Sequence, residues 1–106
     1  MNIEELKEWV IKHSIEKKII DSFEEFIVNY EIDDPQEYSK IFGTINKKEL
    51  KYQIHTISMN LGNWPECNYN TVSTSMWIFY NEKQICSYKV LYTFDGIPED
   101  DYFDVP

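Results

Sequence analysis

The chain has 106 residues, of which 42% are hydrophobic and 16% aromatic, enough for one domain with its own core and too few for a second. A compact fold of this length hides roughly two-thirds of the surface its unfolded chain would expose, so no metal or disulfide is needed to hold it. Ten lysines, no arginine and nineteen acidic side chains give a formal charge of -9, the reverse of what a phosphate-binding surface requires, which excludes ordinary nucleic-acid binding.

The chain opens Met1-Asn2-Ile3-Glu4-Glu5, without the basic stretch and uninterrupted apolar stretch of a secretory signal. No window approaches the ~18 consecutive apolar residues of a membrane-spanning helix. A cytoplasmic protein with no membrane partner is expected. Cys67 and Cys86 lack the C-x-x-C spacing of a redox or zinc site and read as free thiols, Cys86 within a strand pattern and Cys67 in a polar loop.

Residues 1–43 read as helical. Asn2, with Glu5 three positions on, forms an N-terminal cap, and Leu6, Trp9, Val10 and His13 recur at helical spacing. A second periodic set, Ile19, Phe23, Phe26, Ile27 and Tyr30, shares one face. Either Ser14 or the pair Asp21-Ser22 breaks the two sets apart. Asp34-Pro35-Gln36-Glu37 starts a third, short helix, because Asp caps, Pro suits the first helical position and an acid in the first turn complements the helix dipole. Gly43, directly after Ile41-Phe42, is its stop.

From residue 48 the period changes from 3.6 to 2. Residues 49–60 form a long strand of mixed polarity. Residues 71–80 and 85–94, rich in Thr, Val, Ile, Tyr, Phe and Trp, form a hairpin around Asn81-Glu82-Lys83-Gln84. In its second arm Cys86, Tyr88, Val90, Tyr92 and Phe94 alternate with Ser87, Lys89 and Thr93, giving one apolar face for the helices to cover. Asp95-Gly96 then turns the chain. Helices first and strands afterwards give a single α+β domain over 1–106, with N-terminal helices (1–43) packed on one face of an antiparallel sheet (48–106) of three to four strands.

The charge is unevenly spread. Residues 1–47 hold eleven acids and six lysines, residues 48–94 three acids and four lysines, and residues 95–106 five acids and no base. In that ending Asp95, Glu99, Asp100, Asp101 and Asp104 interleave with Tyr102 and Phe103. Such a surface attracts a basic partner over about 8–10 Å while its rings supply buried contact. The other reading of the ending is a solvated terminus, with Tyr102 and Phe103 docked on the domain's own core. The loop Asn63-Trp64-Pro65-Glu66-Cys67-Asn68-Tyr69-Asn70 mixes rigid rings with amides, a composition of recognition loops and also of long hairpin connections. Trp9 and Trp77 sit on periodic faces and read as structural.

Catalytic patterns are missing. There is no G-x-S-x-G, glycine-rich phosphate loop, H-E-x-x-H or zinc-spaced cysteine and histidine set, and the calcium-loop pattern is not matched at Asp95-Gly96. Of the two imidazoles, His13 falls on the apolar stripe of the first helix and His55 shares a strand with Gln53 and Ile57 and faces solvent. No catalytic residue, metal site or cofactor is expected.

The whole chain resembles the small, acidic α+β immunity proteins that bacteria encode beside polymorphic or contact-dependent toxins. The residues that carry this are the start Ile3-Glu4-Glu5-Leu6-Lys7-Glu8-Trp9, the hairpin Ser75-Met76-Trp77-Ile78-Phe79-Tyr80 with Ile85-Cys86-Ser87-Tyr88-Lys89-Val90, and the ending from Phe94-Asp95-Gly96 to Asp104. The resemblance implies a non-enzymatic cytoplasmic inhibitor, a monomer or weak homodimer, that occludes the active site of a basic, nuclease-type toxin. The partner-binding residues expected from charge and rings are Trp64, Tyr69, Asp95, Glu99, Asp100, Asp101, Tyr102 and Asp104. An acidic nucleic-acid mimic that blocks a DNA-binding protein is the main alternative, and a small carboxylate enzyme a further one.

Overall fold

A computed structural model describes all 106 residues. Three helices come first, α1 (Ile3–Lys12), α2 (Ile15–Asp33) and α3 (Pro35–Phe42), then a short 3-10 turn (Lys47–Glu49) and four strands, β1 (Lys51–Gly62), β2 (Tyr69–Tyr80), β3 (Lys83–Thr93) and β4 (Pro98–Asp104). The strands form one antiparallel sheet in the order β1-β2-β3-β4. The α+β class expected from the sequence is the one observed.

Local chemistry sets the helix ends. Asn2 Oδ1 accepts from the Glu5 amide at 2.9 Å, and Asp34 Oδ1 accepts from the Glu37 amide at 3.2 Å ahead of Pro35, each satisfying a donor that the helix start leaves free. Of the two possible breaks between α1 and α2 the chain uses Ser14, in the left-handed region at φ 51. Asp21 and Ser22 lie inside α2, where Asp21 instead pairs with Lys17 one turn back. The β2–β3 turn is tighter than the four residues expected. Asn81 and Glu82 alone form it, at φ 50 and 63, the twin positive angles whose twist matches a two-residue hairpin.

The sheet has one covered face. Val72, Thr74, Met76 and Ile78 of β2 and Cys86, Tyr88, Val90 and Tyr92 of β3 are all buried, at the period of 2 that puts them on one side. Ile15, Ile19, Phe23 and Ile27 of α2 are buried with them in one cluster. Phe23, fully buried, lies edge-on to Tyr88 at 5.4 Å and to Tyr52 at 5.9 Å, so Phe23→Ala would remove about 3–5 kcal/mol of stability. Phe103 of β4 completes the far side, 4.9 Å from the Phe26 ring and 6.1 Å from Phe42.

The helices are tied to the turn after β3. The Trp9 indole donates to the Phe94 carbonyl at 2.7 Å, and Lys18 Nζ donates to the Gly96 carbonyl at 3.1 Å. Gly96 has φ +80, and a Cβ there would stand 2.5 Å from His13 Nδ1, so both the backbone and the space require glycine.

Two aromatic residues lie elsewhere than the sequence pattern places them. Trp77 falls between the inward residues Met76 and Ile78 and so points away from the core, half-buried on the uncovered face. Phe94 lies beyond β3 in the turn and is exposed, because the strand alternation ends at Thr93.

Candidate partner-binding surface

The acidic ending is the sheet's edge strand. β4 pairs with β3 through Tyr102↔Lys89, Asp101↔Val90 and Asp100↔Leu91. Alternation along β4 therefore divides its acids: Asp100, Tyr102 and Asp104 lie on the uncovered face, and Asp101 and Phe103 on the helix face. Pairing of Pro98 with Tyr92 leaves Glu99 as the extra residue of a bulge, which aims its side chain back toward β2.

Four of the expected residues meet on the uncovered face. The Tyr69 hydroxyl donates to Glu99 Oε2 at 2.8 Å, and the Tyr102 hydroxyl donates to Asp100 Oδ2 at 3.0 Å. Lys89 Nζ stands over the Tyr102 ring, 4.9 Å from its centroid. The hydrogen bond to Glu99 holds the Tyr69 phenol above its ordinary value, and that to Asp100 does the same for Tyr102. Both rings thus stay neutral donors well past neutral pH. Each carboxylate still has lone pairs free, since two oxygens offer about four acceptor sites, so a cationic side chain can approach without breaking these bonds.

The other expected residues are distributed around this cluster. Asp104 pairs in register with Ser87 and borders a shallow depression of about 330 Å³ with His55, Trp77, Lys89 and Tyr102. Trp64 is 77% exposed in the β1–β2 connection, beyond the Gly62↔Tyr69 pair that closes the ladder. It does not fold back on the core, and it shares with Tyr69 and Glu99 the sheet end where β2 begins and β3 ends. Asp95 is exposed in the turn against α1. Asp101 differs in its partner: it accepts a 2.5 Å hydrogen bond from the buried Tyr88 hydroxyl, and with Glu99 and Asp100 it lines a cleft of about 370 Å³ between β4 and the α2 residues Glu25, Phe26 and Asn29. Burial, reinforced by that bond, pushes the Tyr88 phenol strongly upward.

The sequence reading missed one element of this face. His55 stacks on Trp77, ring centroids 4.4 Å apart and planes 23° from parallel, and Phe79 meets Trp77 edge-on at 6.4 Å. The signal was present in the phase of β2, where Trp77 shares parity with Ser73 and Ser75 and not with Met76.

No group of three or more His, Cys, Asp or Glu side chains is arranged to hold a metal ion. Cys67 and Cys86 are both free thiols, and burial pushes Cys86 up to about 12. No helix is long and apolar enough to cross a membrane. Compared with protein families, with curated proteins and with solved structures, the chain matches none.

Proposed function

We propose that this chain is an immunity protein, which binds a basic toxin in the cytoplasm and neutralises it by covering its active site, without turning over a substrate. The observation that carries the reading is the pair of hydrogen bonds from Tyr69 to Glu99 and from Tyr102 to Asp100. They hold two exposed rings and two exposed acids in fixed relation on a sheet face that no helix covers. Fixed side chains lose less rotamer freedom on binding, so more of the contact energy appears as affinity. The acids speed encounter with a cationic surface, and the rings supply the contact area that slows release. Trp64, extended at the same end of the sheet, and Trp77, at its middle, are the further aromatic anchors of this surface. Asp101 belongs to the domain's own packing in this scheme, through Tyr88.

The test begins with co-purification from the source cell at low salt and identification of any basic polypeptide that elutes with the chain. That polypeptide is then expressed alone and together with the chain. Arrest of growth by the polypeptide alone, relieved by co-expression, supports the proposal. Equal relief by a Glu99→Lys, Asp100→Lys double variant of intact fold would remove this surface from the inhibition, and a partner without toxicity would remove the function.

A further inference from the structure

The two edges of the sheet are built differently. β4 starts at Pro98, carries Glu99, Asp100, Asp101 and Asp104, and has the Asp101 amide already bonded to Asp100 Oδ1 at 2.9 Å. Proline, acids and an occupied backbone donor are all devices that keep an edge strand from pairing with another chain. β1 shows few of them. From Tyr52 to Pro65 the sequence has no Lys, Asp or Glu, although 27% of the whole chain is charged. Its one interruption is the bulge between Ile54 and Thr56, after which Thr56–Gly62 pairs with β2 residue for residue as far as Tyr69. The opposite edge of that regular run faces outward along the sheet.

The run is lightly covered, with the Met1 ammonium 4.0 Å from Met59 Sδ on the helix side. On the helix side Ile57 and Met59 are only half-buried and Leu61 is 49% exposed, whereas Thr74 and Val72, the β2 partners of Ile57 and Met59, are fully buried. On the other side stand Thr56, Ser58 and Asn60, all short and uncharged. Ser58 and Asn60 bond inward to Ser73 and Thr71, leaving no long side chain in the way of an approaching backbone.

We propose that a second copy of this chain pairs along β1, antiparallel about a twofold axis through Met59, giving one continuous sheet across two molecules. An isologous contact requires a surface complementary to itself, and this register supplies one. Ile57 faces Leu61 of the second copy and Met59 faces its own counterpart, while Ser58 faces Asn60 and Thr56 faces Gly62. No like-charged side chains meet along the ladder, although each copy brings its Met1 ammonium, 4.0 Å from Met59 Sδ, toward the axis. Pairing of β4 with its counterpart would set acids beside acids, and pairing of β1 with β4 would leave two edges free and grow open-ended. A seven-residue ladder with one apolar row is a small contact, so the dimer is weak. Each copy carries a formal charge of -9, so the dimer tightens as salt screens the long-range repulsion. This inference concerns the purified chain alone and does not depend on the toxin reading, whose binding has the opposite salt dependence.

Sedimentation velocity of the purified full chain over a range of concentrations, at low and at high salt, tests it. The expected result is a reversible monomer–dimer equilibrium that shifts toward dimer as salt rises. Met59→Lys sets two ammonium groups face to face on the axis, and Ser58→Lys with Asn60→Lys does so on the solvent side without touching the core. Each is expected to weaken the dimer about tenfold or more, since like charges directly opposite repel and the axis repeats every substitution. Circular dichroism confirms that each variant is folded. A parent chain that stays monomeric at the highest concentration, species larger than a dimer, or a dimer that neither variant weakens would each overturn the proposal.

Discussion

The buried Tyr88 hydroxyl donates to Asp101 across the β3–β4 ladder at 2.5 Å, so the one acid of the edge strand that faces the helices is held by a phenol and not by a cation. No lysine forms an ion pair with it. Tyr88→Phe is expected to lower stability by about 1 kcal/mol, the net value of one such bond to a partly exposed partner. Asp101→Asn should cost less, and the two changes together less than their sum, because they remove the same interaction. Urea unfolding of the two single variants and the double variant measures the coupling.

Alkaline pH is expected to destabilise the fold. Burial pushes the Tyr52 and Tyr92 phenols from 10.0 up to about 12, moves Tyr88 the same way, and pushes the Cys86 thiol from 9.0 up to about 12. Their protonated forms are thus favoured in the folded state. The stability they contribute is fully present below the unfolded values and is lost as pH rises through the folded ones, because the unfolded chain releases these protons first. The melting temperature should hold near neutral pH, fall from about pH 9 upward, and fall less steeply in Tyr92→Phe. A thermal melt series across that range checks both slopes.

Gly96→Ala is expected to cost more than the ordinary price of a left-handed non-glycine residue, about 1–3 kcal/mol. The added Cβ would meet the His13 ring at 2.5 Å as well as holding φ +80. The clash falls beside the Trp9 bond to Phe94, so Trp9 fluorescence should change along with the melting temperature. Gly43→Ala is the comparison without a clash, since a Cβ there meets only the Ser39 carbonyl, at 3.8 Å, and its cost is that of a side chain at φ +57 alone.

Asp100 and Asp101 are adjacent in sequence and opposite in direction, which separates their contributions to binding. With a basic toxin in hand, Asp100→Lys should slow association about tenfold and flatten its salt dependence, as expected for loss of charge beside the contact. Asp101→Lys should change the rate less and lower stability more. Stopped-flow association at several salt concentrations, set beside unfolding curves, reads both effects.

Much of the fold was legible because its signals are local. Asn2 and Asp34 cap the helices where their side chains predict, and the alternation from Cys86 to Tyr92 identifies the covered face. β4 was harder to read, since Glu99-Asp100-Asp101 has low strand propensity and is held by pairing with β3 and by Phe103 packing on Phe26. Tertiary contact overrides propensity there. The candidate surface was legible in composition and not in direction. Nothing in the string Glu99-Asp100-Asp101-Tyr102 announces the bulge that turns Glu99 toward Tyr69, and without the register Asp101 cannot be separated from Asp100.

The Trp9 bond to Phe94 joins residues 85 apart in sequence, whereas every strand pairs only with its immediate neighbours in the chain. Assembly of the four strands therefore needs no large loop to close, and the costly long-distance closure falls to the docking of α1 on the far end of the molecule. The apolar side of the meander is covered by α2, through Ile15, Ile19, Phe23 and Ile27, and α1 adds Trp9 to that core. The first helix and the last turn should thus gain and lose protection from hydrogen exchange together, as one cooperative unit spanning nearly the whole chain.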